Sequence, residues 1–405
     1  MPATPPTGPL NGIKVVDLTT TFMGPYATML LARMGADVVK VEEPAGDVTR
    51  GLADTGAGAG PAFLNANHGK RSIAIDLKSS VGRAALLRLI ERADVFVTNV
   101  RPQALARLGL TPETIHETNP RAIVATLVGF APGGPYSGRA AYDDAIQAIS
   151  GIADVQGGDG EPAYVKSVIA DKTVGLMAVN GILAALVARG VTGRGTVVTV
   201  PMFESMAAFN MLELQGGYVF ETPRGPSGYA RVSSPFRKPY RTADGYLGVV
   251  VYTDRMWLAF FELIGRPELA DEPRYATIAA RTAHVDEMYE LIDTELAKES
   301  SAYWLEKLSA AGIPALPVQS IADLRTDEHL RAVALFEDVD HPTAGPLRLP
   351  GLATQFSDTP CSRETRPAPL LGQHGPEVLA EAGMTAAEID ELRAAGILVV
   401  TDDPR

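Results

Sequence analysis

The chain has 405 residues, of which 46% are hydrophobic and 21% are charged, and these proportions are typical of a soluble globular protein. A net charge of −12 argues against general binding to nucleic acid, which needs a basic face, and the single cysteine, Cys361, excludes an internal disulfide framework and a cysteine-rich metal site. The length predicts two domains rather than one.

The first 200 residues alternate short apolar segments with helical patterns. Helices are predicted from Pro25 to Met34, over 80–92 and from Asp171 onward. Short strands separated by helices favour an α/β fold with a mostly parallel sheet and helices on both faces. The strands are predicted, because of their apolar and β-branched residues, at 12–18, 36–42, 71–77, 94–100, 121–130 and 195–200.

The pattern changes after about residue 222, where glycine, proline and serine become frequent. We interpret 225–325 as a small α+β domain, and 1–222 together with 330–405 as a large domain. The last helix is predicted over 384–398, with Thr385 as its N-cap. Within the small domain we predict a hairpin about Ala243–Gly245, helices at 254–264, 282–297 and 301–311, and a strand within 312–318.

Targeting and membrane segments are not predicted. The first ten residues, MPATPPTGPL, contain neither a cationic stretch nor an apolar core, as a signal peptide would. The most apolar stretch, around 174–188, contains Asn180 and two glycines and is shorter than a bilayer-spanning helix requires. We therefore expect a cytoplasmic protein with no membrane partner.

Several common catalytic signatures are missing from the sequence. It contains no GxxxxGK[ST] and no GxSxG, which argues against nucleotide hydrolysis and against a serine hydrolase. The six histidines are scattered and no pair has the spacing of metal ligands, so no metal site is predicted. Carboxylates remain as the candidates for chemistry.

Asp171 is the carboxylate that stands out, because it follows the small apolar segment SVIA and precedes a long apolar helix. One interpretation is structural, since Asp is a favoured N-cap. The other is chemical. Val174 at the third following position forms no capping box, and a part-buried carboxylate kept ionised by a helix N-terminus can attack an activated acyl group. The residues alone leave both roles open.

Seven segments carry a resemblance to a known family. They are GIKVVDLTTTFMGPYATMLLARMGADVVKVEEPAGDVTRG (12–51), NHGKRSIAIDLK (67–78), DVFVTNVRPQALARLGL (94–110), AYDDAIQAISG (141–151), PYRTADGYLGV (239–249), GIPALPVQSIADL (312–324) and APLLGQHGPEVLAE (368–381). In this order they resemble the class III CoA-transferases, a family that includes formyl-CoA transferase, carnitine CoA-transferase and alpha-methylacyl-CoA racemase. The resemblance extends over nearly the whole chain.

The resemblance implies a fold and a reaction. The fold is a Rossmann-like large domain with a small domain inserted, and two chains interlock like rings in a homodimer. The reaction moves CoA from an acyl-CoA donor to a free carboxylic acid. Asp171 would attack the thioester to give an aspartyl anhydride, and CoA would then recapture the aspartyl group as a thioester. CoA is thus a substrate, and no tightly bound cofactor is expected.

The resemblance also assigns site residues by position. Lys70 and Arg71 are expected to contact the CoA phosphates, because lysine and arginine donate charge-assisted hydrogen bonds to phosphate. Asn99 and Arg107 are expected at the nucleotide end of CoA. The full set of expected CoA contacts is Met23, Leu64, Lys70, Arg71, Asn99, Val100, Arg107 and Met202.

Two departures from the family pattern bear on the substrate. Phe22 stands where formyl-CoA transferase has a glutamine, and ARVSSPFRKPY (230–240) stands in place of a glycine-rich loop. Both argue against formyl or oxalyl groups and favour a bulkier or more apolar acid. Arg237 and Lys238 are candidates for binding an acceptor carboxylate, or are ordinary surface residues.

The racemases of the family are the alternative enzyme class. They use a His–Asp arrangement where this chain has Tyr142 in AYDD. Tyrosine, with an ordinary pKa near 10, is a poor base at neutral pH, so Tyr142 and Asp171 together favour the transferase. A non-catalytic acyl-CoA-binding protein is the third possibility, and it would require that Asp171 serve only as a cap.

Overall fold

The structure is a computed structural model that describes residues 7–53, 56 and 58–404, so part of the N-terminal segment interpreted above lies outside it. The described chain divides into two compact units. The first contains the chain up to Ala153, Tyr164–Phe209 and the chain from Arg331 onward; the second contains Asp154–Ala163 and Asn210–Leu330. The chain passes from the first unit to the second after Phe209, inside the helix Met202–Leu214. The predicted boundary near residue 222, which was based on composition, therefore lies later in the chain than this one.

Regular structure covers both units. The strands are β1 Lys14–Leu18, β2 Asp37–Glu42, β3 Arg71–Ile75, β4 Val95–Thr98, β5 Ile123–Val128, β6 Val197–Pro201, β7 Tyr240–Arg241, β8 Tyr246–Val249, β9 Ala315–Pro317, β10 Phe336–His341, β11 Gly345–Pro350 and β12 Leu398–Val399. The helices are α1 Met23–Arg33, α2 Pro61–Asn67, α3 Ser80–Glu91, α4 Pro102–Arg107, α5 Pro112–Thr118, α6 Asp143–Ile149, α7 Ile152–Gly157, α8 Ile169–Thr192, α9 Met202–Leu214, α10 Ala230–Ser233, α11 Asp254–Leu263, α12 Ile278–Ala283, α13 Val285–Leu296, α14 Ser301–Ala310, α15 Ile321–Leu324, α16 Glu328–Ala332, α17 Gly375–Glu381 and α18 Ala386–Ala394.

The first unit is built on a parallel sheet, as predicted. Within the described residues, seven strands lie in the order β12-β3-β2-β1-β4-β5-β6. Every pairing is parallel except that of β12 with β3. The chain leaves β1 toward β2 on one side and returns to β4 on the other, so the strand order reverses between β1 and β4. In open α/β sheets ligands bind outside the carboxyl ends of the strands at such a point.

Both faces of this sheet are buried over most of β1–β5, which explains why these strands are continuously apolar rather than alternating, whereas β6 is only partly buried. Val95 and Val97 pack on one side, against α1 and α8. Phe96 points to the opposite side, where α3, α5, α17 and α18 cover the sheet. The faces alternate because successive side chains of a strand point in opposite directions.

Helix α8 differs in length from the prediction. It has 24 residues, and by length and composition it is the one helix of the described chain that is long and apolar enough to cross a bilayer. Its buried side chains, which include Val174, Ala178 and Ile182, pack on the sheet core. A core helix of a globular protein has the same apolar character, and 39% of the most apolar 18-residue window of α8 is buried within the protein.

The C-terminal segment corrects another prediction. Helix α18 begins after the N-cap Thr385, whose capping box with Glu388 is formed, but it ends at Ala394 rather than at 398. Gly396 has a φ of 69°, in the left-handed region where glycine is favoured, and it stops the helix. Leu398 and Val399 then add β12 to the edge of the large sheet.

The second unit has its own core. The predicted hairpin is present as antiparallel β7 and β8, and β9 extends it to three strands. Aromatic side chains of α11 dominate the core, with Trp257, Phe260 and Phe261 all buried. The predicted helices at 254–264, 282–297 and 301–311 correspond to α11, α13 and α14.

Candidate active site

A pocket of about 440 Å³ lies in the first unit, beside the carboxyl ends of β1, β4 and β5. This is the side of the sheet on which the strand-order reversal predicts a ligand. Of the residues assigned from the sequence, the pocket brings together Met23, Asn99, Tyr142, Asp171 and Met202. The remaining lining residues are Thr20, Thr21, Phe22, Arg101, Pro102, Gln103, Leu127, Val128, Gly129, Phe130, Pro132, Ser137, Gly138, Arg139, Ala140 and Ala141.

The loop between β1 and α1 forms one wall, and side chains hold its backbone in place. Asn99, just after β4, connects to Thr20, just after β1. The Asn99 side chain accepts a hydrogen bond from Thr20 N at 3.0 Å and donates one to Thr20 O at 2.8 Å. Thr21 has a φ of 73°, an unusual value for a β-branched residue. Gly24 is required nearby, because a Cβ there would lie 2.3 Å from the Thr19 side chain.

A buried ion pair lies beneath the same loop. Lys40 Nζ donates to Thr19 O and to Asp47 Oδ2, both at 2.9 Å, and neither side chain of the pair reaches solvent. Asp47 in turn accepts from Thr21 N at 3.4 Å. The loop that carries Phe22 and Met23 is therefore fixed before any ligand binds, which lowers the entropic cost of binding.

Asp171 does not cap its helix, and this corrects the sequence-based interpretation. Helix α8 begins at Ile169, and its N-cap residue is Val168, which makes no side-chain cap. Asp171 is thus the third helical residue, with a part-buried side chain on the pocket wall. Its carboxylate accepts no hydrogen bond from any residue that the structure describes. Gly175, one turn later, allows α8 to approach α1 closely, because a Cβ there would lie 3.0 Å from Met23 O.

Asp143 supplies the cap that Asp171 does not. Its Oδ1 accepts from the backbone N–H of Asp171 at 2.9 Å, and its Oδ2 accepts from Gln147 Nε2 at 2.6 Å. Gln147 Oε1 accepts from Val165 N at 2.9 Å, so the segment before α8 is held by the same pair of side chains. Both Asp143 and Gln147 are buried.

A helix N-terminus alone would lower the pKa of the Asp171 carboxyl, but the surroundings of Asp171 raise it. Burial, followed by the negative charges of Asp143 and Asp144, raises the pKa of the Asp171 carboxyl from 3.8 to about 7. The helix N-terminus is expected to keep this carboxylate ionised, whereas burial and the two neighbouring carboxylates act in the opposite direction and favour its protonated form. The Asp171 N–H that would have contributed to stabilising the ionised form is already bound to Asp143.

Aromatic side chains form another part of the wall. Tyr142 lies immediately before α6 and is 72% exposed. Phe130 packs against Tyr136 and Phe203, with ring centroids 5.4 and 5.9 Å apart. With Phe22 on the facing loop, the pocket offers a large apolar surface.

Two arginines are the cations that line the pocket among the described residues. Arg101 is the residue before α4, and Arg139 lies in the loop between β5 and α6. Both are exposed, and neither forms an ion pair with a carboxylate of the described chain; the Arg139 guanidinium lies 4.5 Å from the Tyr136 ring centroid. Such unpaired guanidinium groups are available to bind an anion.

The two predicted phosphate contacts, Lys70 and Arg71, are occupied elsewhere. Lys70 is fully buried, and its Nζ donates to Asp17 Oδ2, Pro25 O and Asn67 Oδ1 at 2.8–3.0 Å, which uses all three of its N–H groups. Arg71 binds Asp37, Glu377 and Glu381. Neither lines the pocket, and we replace the predicted phosphate contacts with structural roles.

Three other predicted contacts lie away from the pocket lining. Leu64 is buried in a small cluster with Phe63 and Ala368. Val100 is partly buried against the core on the side of the sheet to which Phe96 points. Arg107 is exposed at the end of α4, without a hydrogen-bond partner in the described part of the chain. In the second unit, Lys238 forms an ion pair with Asp293 at 2.9 Å, whereas Arg237 is exposed.

The sequence analysis missed Asp143, Gln147, Arg101 and Arg139. One signal was available, since Asp143 and Gln147 are four residues apart and so share a helix face. Arg101 could also have been found, because it lies between the end of β4 and Pro102, which opens α4. The hydrogen bond from Asp171 to Asp143 spans 28 residues and has no local signal.

Comparison with known proteins identifies relatives along nearly the whole chain. A family model described as CoA-transferase family III matches residues 10–375. The formyl-CoA:oxalate CoA-transferase of Streptomyces avermitilis is 37% identical, over 96% of this chain and 99% of the relative. The succinyl-CoA:glutarate CoA-transferase of Mus musculus is 32% identical, over 96% of this chain and 90% of the relative.

Solved structures give the same result for the fold. A CaiB/BaiF family protein from Brucella suis is 31% identical and superimposes with a TM-score of 0.78, over 93% of this chain and 100% of that one. A Mycobacterium tuberculosis protein, 27% identical, gives a TM-score of 0.80 over 92% of this chain and 99% of that one.

Proposed function

The chain belongs to CoA-transferase family III and is a CoA-transferase, and from this premise we propose that Asp171 carries the covalent intermediates of the transfer. One observation supports this assignment above the others. Asp171 places a part-buried carboxylate, free of hydrogen bonds from the described residues, in a pocket whose other charged lining groups are arginines. A carboxylate that served only structure would be expected to have partners.

The steps balance without a further reactant. A carboxylate oxygen of Asp171 attacks the thioester carbonyl, the C–S bond breaks, and CoA leaves as a thiolate with the bonding electrons. The thiolate then attacks the aspartyl carbonyl of the anhydride and releases the donor acid as a carboxylate. The acceptor carboxylate attacks the carbonyl of the resulting aspartyl thioester, the C–S bond breaks, and CoA leaves again as a thiolate, which gives a new anhydride. The thiolate finally attacks the acceptor's acyl carbonyl in this anhydride. The bond between that carbonyl and the aspartyl oxygen breaks, which forms the product acyl-CoA and restores the carboxylate of Asp171.

The environment of Asp171 favours nucleophilic attack by its carboxylate. A carboxylate whose pKa is raised to about 7 is more basic, and therefore more nucleophilic, than an ordinary aspartate. It is still ionised in a large fraction of molecules at neutral pH. Partial burial also leaves the carboxylate poorly hydrated, so that less water must be displaced before attack.

Arg101 and Arg139 take the place of Lys70 and Arg71 as the proposed contacts of the CoA phosphates. We predict that Arg101→Ala and Arg139→Ala each raise the KM for acyl-CoA about tenfold with little change in kcat, because a contact remote from the thioester is equal in ground and transition states. Initial-rate kinetics would measure both constants. Arg107→Ala is the matched control, and an effect larger than those of both pocket arginines would contradict this assignment.

The pocket supports an apolar acyl group. Phe22 and Phe130 line it, and the charges that act on Asp171 come from Asp143 and Asp144, with no cation among them. If Arg101 and Arg139 bind the CoA phosphates as proposed, the described lining of the pocket has no further cation to pair with a second carboxylate of the acyl group. The curated relatives, by contrast, are named for oxalate and for glutarate. Incubation with a panel of acyl-CoAs and free acids, followed by mass analysis of CoA exchange, tests both the activity and this preference. Faster exchange with oxalate or glutarate than with apolar monocarboxylic acids would overturn it.

Self-association as a homodimer, interlocked as the family resemblance implies, is supported by apolar surface in the first unit. Leu176, Val187 and Val191 of α8 are exposed, the last by 88%. An exposed apolar helix face of this kind marks an interaction surface. We predict a mass of two chains by size-exclusion chromatography with light scattering. A single species of 42.8 kDa under dilute native conditions would contradict the dimer.

A further inference from the structure

The carboxylate of Asp143 is buried beside the pocket but does not line it, and the transfer chemistry leaves it without a role. It accepts hydrogen bonds from two groups, the N–H of Asp171, 28 residues away in the sequence, at 2.9 Å, and the amide of Gln147 on its own helix at 2.6 Å. Gln147 extends the contact, since it accepts from Val165 N and its Nε2 lies 3.2 Å from Ser167 O. One carboxylate thus ties α6 to the start of α8.

We propose that Asp143 is the positioning residue of this site: through its hydrogen bond to the Asp171 N–H and through Gln147, it fixes the first turn of α8 so that the Asp171 side chain faces the pocket. The proposal rests on the proposed role of Asp171 as the nucleophile. It concerns how that carboxylate is held rather than whether it reacts.

The geometry explains why an aspartate is needed here. The first N–H groups of a helix lack partners within the helix, and Val168 offers no side-chain cap. If Asp171 satisfied its own helix end, its oxygens would turn toward the backbone and away from the pocket. Because Asp143 occupies the Asp171 N–H from outside the helix, the carboxylate of Asp171 remains free for chemistry.

The same contact brings a negative charge to Asp171. The charged and titratable groups around the Asp171 carboxylate are Asp143 and Asp144 of α6, Lys172 of its own helix, Tyr26 of α1, and Tyr142, Arg101 and Arg139 of the pocket wall. β5 and β6, which also pack on α8, contribute none. Of these groups, Asp143 and Asp144 are the ones that raise the pKa of Asp171.

The pair Asp143 and Asp144 provides a matched experiment, since only Asp143 is hydrogen-bonded to α8. Asp143→Ala is expected to lower kcat/KM about 100-fold, the effect of a misplacement of about 1 Å. Asp143→Asn keeps the acceptor for Asp171 N but not the one for Gln147. It should lose less activity than Asp143→Ala, and it should move the acid limb of the kcat/KM profile to lower pH by roughly one unit. Asp144→Asn should move that limb in the same direction without a comparable loss of rate.

A readout independent of activity accompanies the kinetics. Hydrogen exchange at the backbone amides of Val165 and Asp171 should become at least about tenfold faster in Asp143→Ala, because the acceptors of both are lost or displaced. It should be unchanged in Asp144→Asn. Circular dichroism and the melting temperature verify that each variant is folded. If Asp143→Ala does not fold, the pH profile and the amide hydrogen exchange of Asp143→Asn test the positioning role instead.

Two outcomes overturn the proposal. One is a folded Asp143→Ala with wild-type kcat/KM, pH profile and amide exchange. The other is an Asp144→Asn variant that equals Asp143→Asn in all three, since charge alone would then account for the effect. Failure of the proposed function is detected separately, because the wild-type enzyme would then form no adduct at Asp171, whatever the Asp143 variants do.

Discussion

Asp171→Asn is expected to reduce CoA transfer by about 10⁴-fold, or to the limit of detection, as occurs when a nucleophile is removed from an enzyme whose other groups act only through it. An amide oxygen is a far weaker nucleophile than a carboxylate and cannot form the anhydride. The measurement is the rate of CoA exchange between an acyl-CoA and a free acid. Acyl-CoA affinity, followed by calorimetry, should stay within a few-fold of wild type, because the phosphate contacts are untouched.

Asp144→Asn is the control for this loss. It removes a negative charge that also acts on Asp171, but it leaves the carboxylate of Asp171 in place. It should retain transfer within roughly an order of magnitude at pH 8. An Asp171→Asn enzyme with substantial turnover would show that this carboxylate is not the nucleophile, and Asp171 would then be an ordinary helix residue.

Asp171→Asn is also expected to stabilise the folded protein. The pKa of Asp171 is raised from 3.8 to about 7 in the folded chain, so between these values the folded state holds a proton that the unfolded state has lost. Wild-type stability therefore falls as the pH rises from about 4 to 7 and stays lower above it. A tenfold change in proton affinity is worth about 1.4 kcal/mol, so the full penalty is on the order of 4 kcal/mol at pH 8, and asparagine removes it.

Urea unfolding of both proteins at pH 8 and near pH 4 measures this effect. Asp171→Asn should be more stable at pH 8, with the difference closing as the pH falls, because a protonated carboxyl and an amide are similar in size and charge. Equal stabilities at both pH values would mean that Asp171 is well solvated, and its raised basicity could then not contribute to catalysis. A gain in stability at the expense of activity is characteristic of functional residues.

The large sheet was predictable because its physical cause is local. Apolar segments such as those around Val95–Thr98 and Ile123–Val128 are visible without knowledge of their neighbours. The boundaries of α18 were less predictable, since the left-handed φ at Gly396 and the pairing of Leu398 with Ile75 depend on the folded chain. The transition inside α9 has no compositional sign at all.

For the site, the sequence and its family resemblance pointed to the candidate nucleophile but not to its surroundings. Asp171 was identified, whereas its position in the third helical residue and the cap from Asp143 require contacts between distant segments. For Lys70 the role predicted from the sequence was wrong, since it was expected to contact the CoA phosphates. A lysine beside an arginine is usually solvent-exposed, yet Lys70 is completely buried and its charge is paired with Asp17. Burial of this kind is decided by tertiary packing.

The most direct test of the central claim is mass analysis of the peptide that contains Asp171 after incubation with an acyl-CoA and no acceptor acid. We predict a covalent acyl or CoA adduct on this peptide, which hydroxylamine or borohydride traps because anhydrides and thioesters are strongly electrophilic. Asp171→Asn should give no adduct under the same conditions. Exchange of the substrate's alpha-proton with deuterated water, with no adduct that can be trapped, would contradict the account and would indicate the proton-transfer chemistry of the racemases instead.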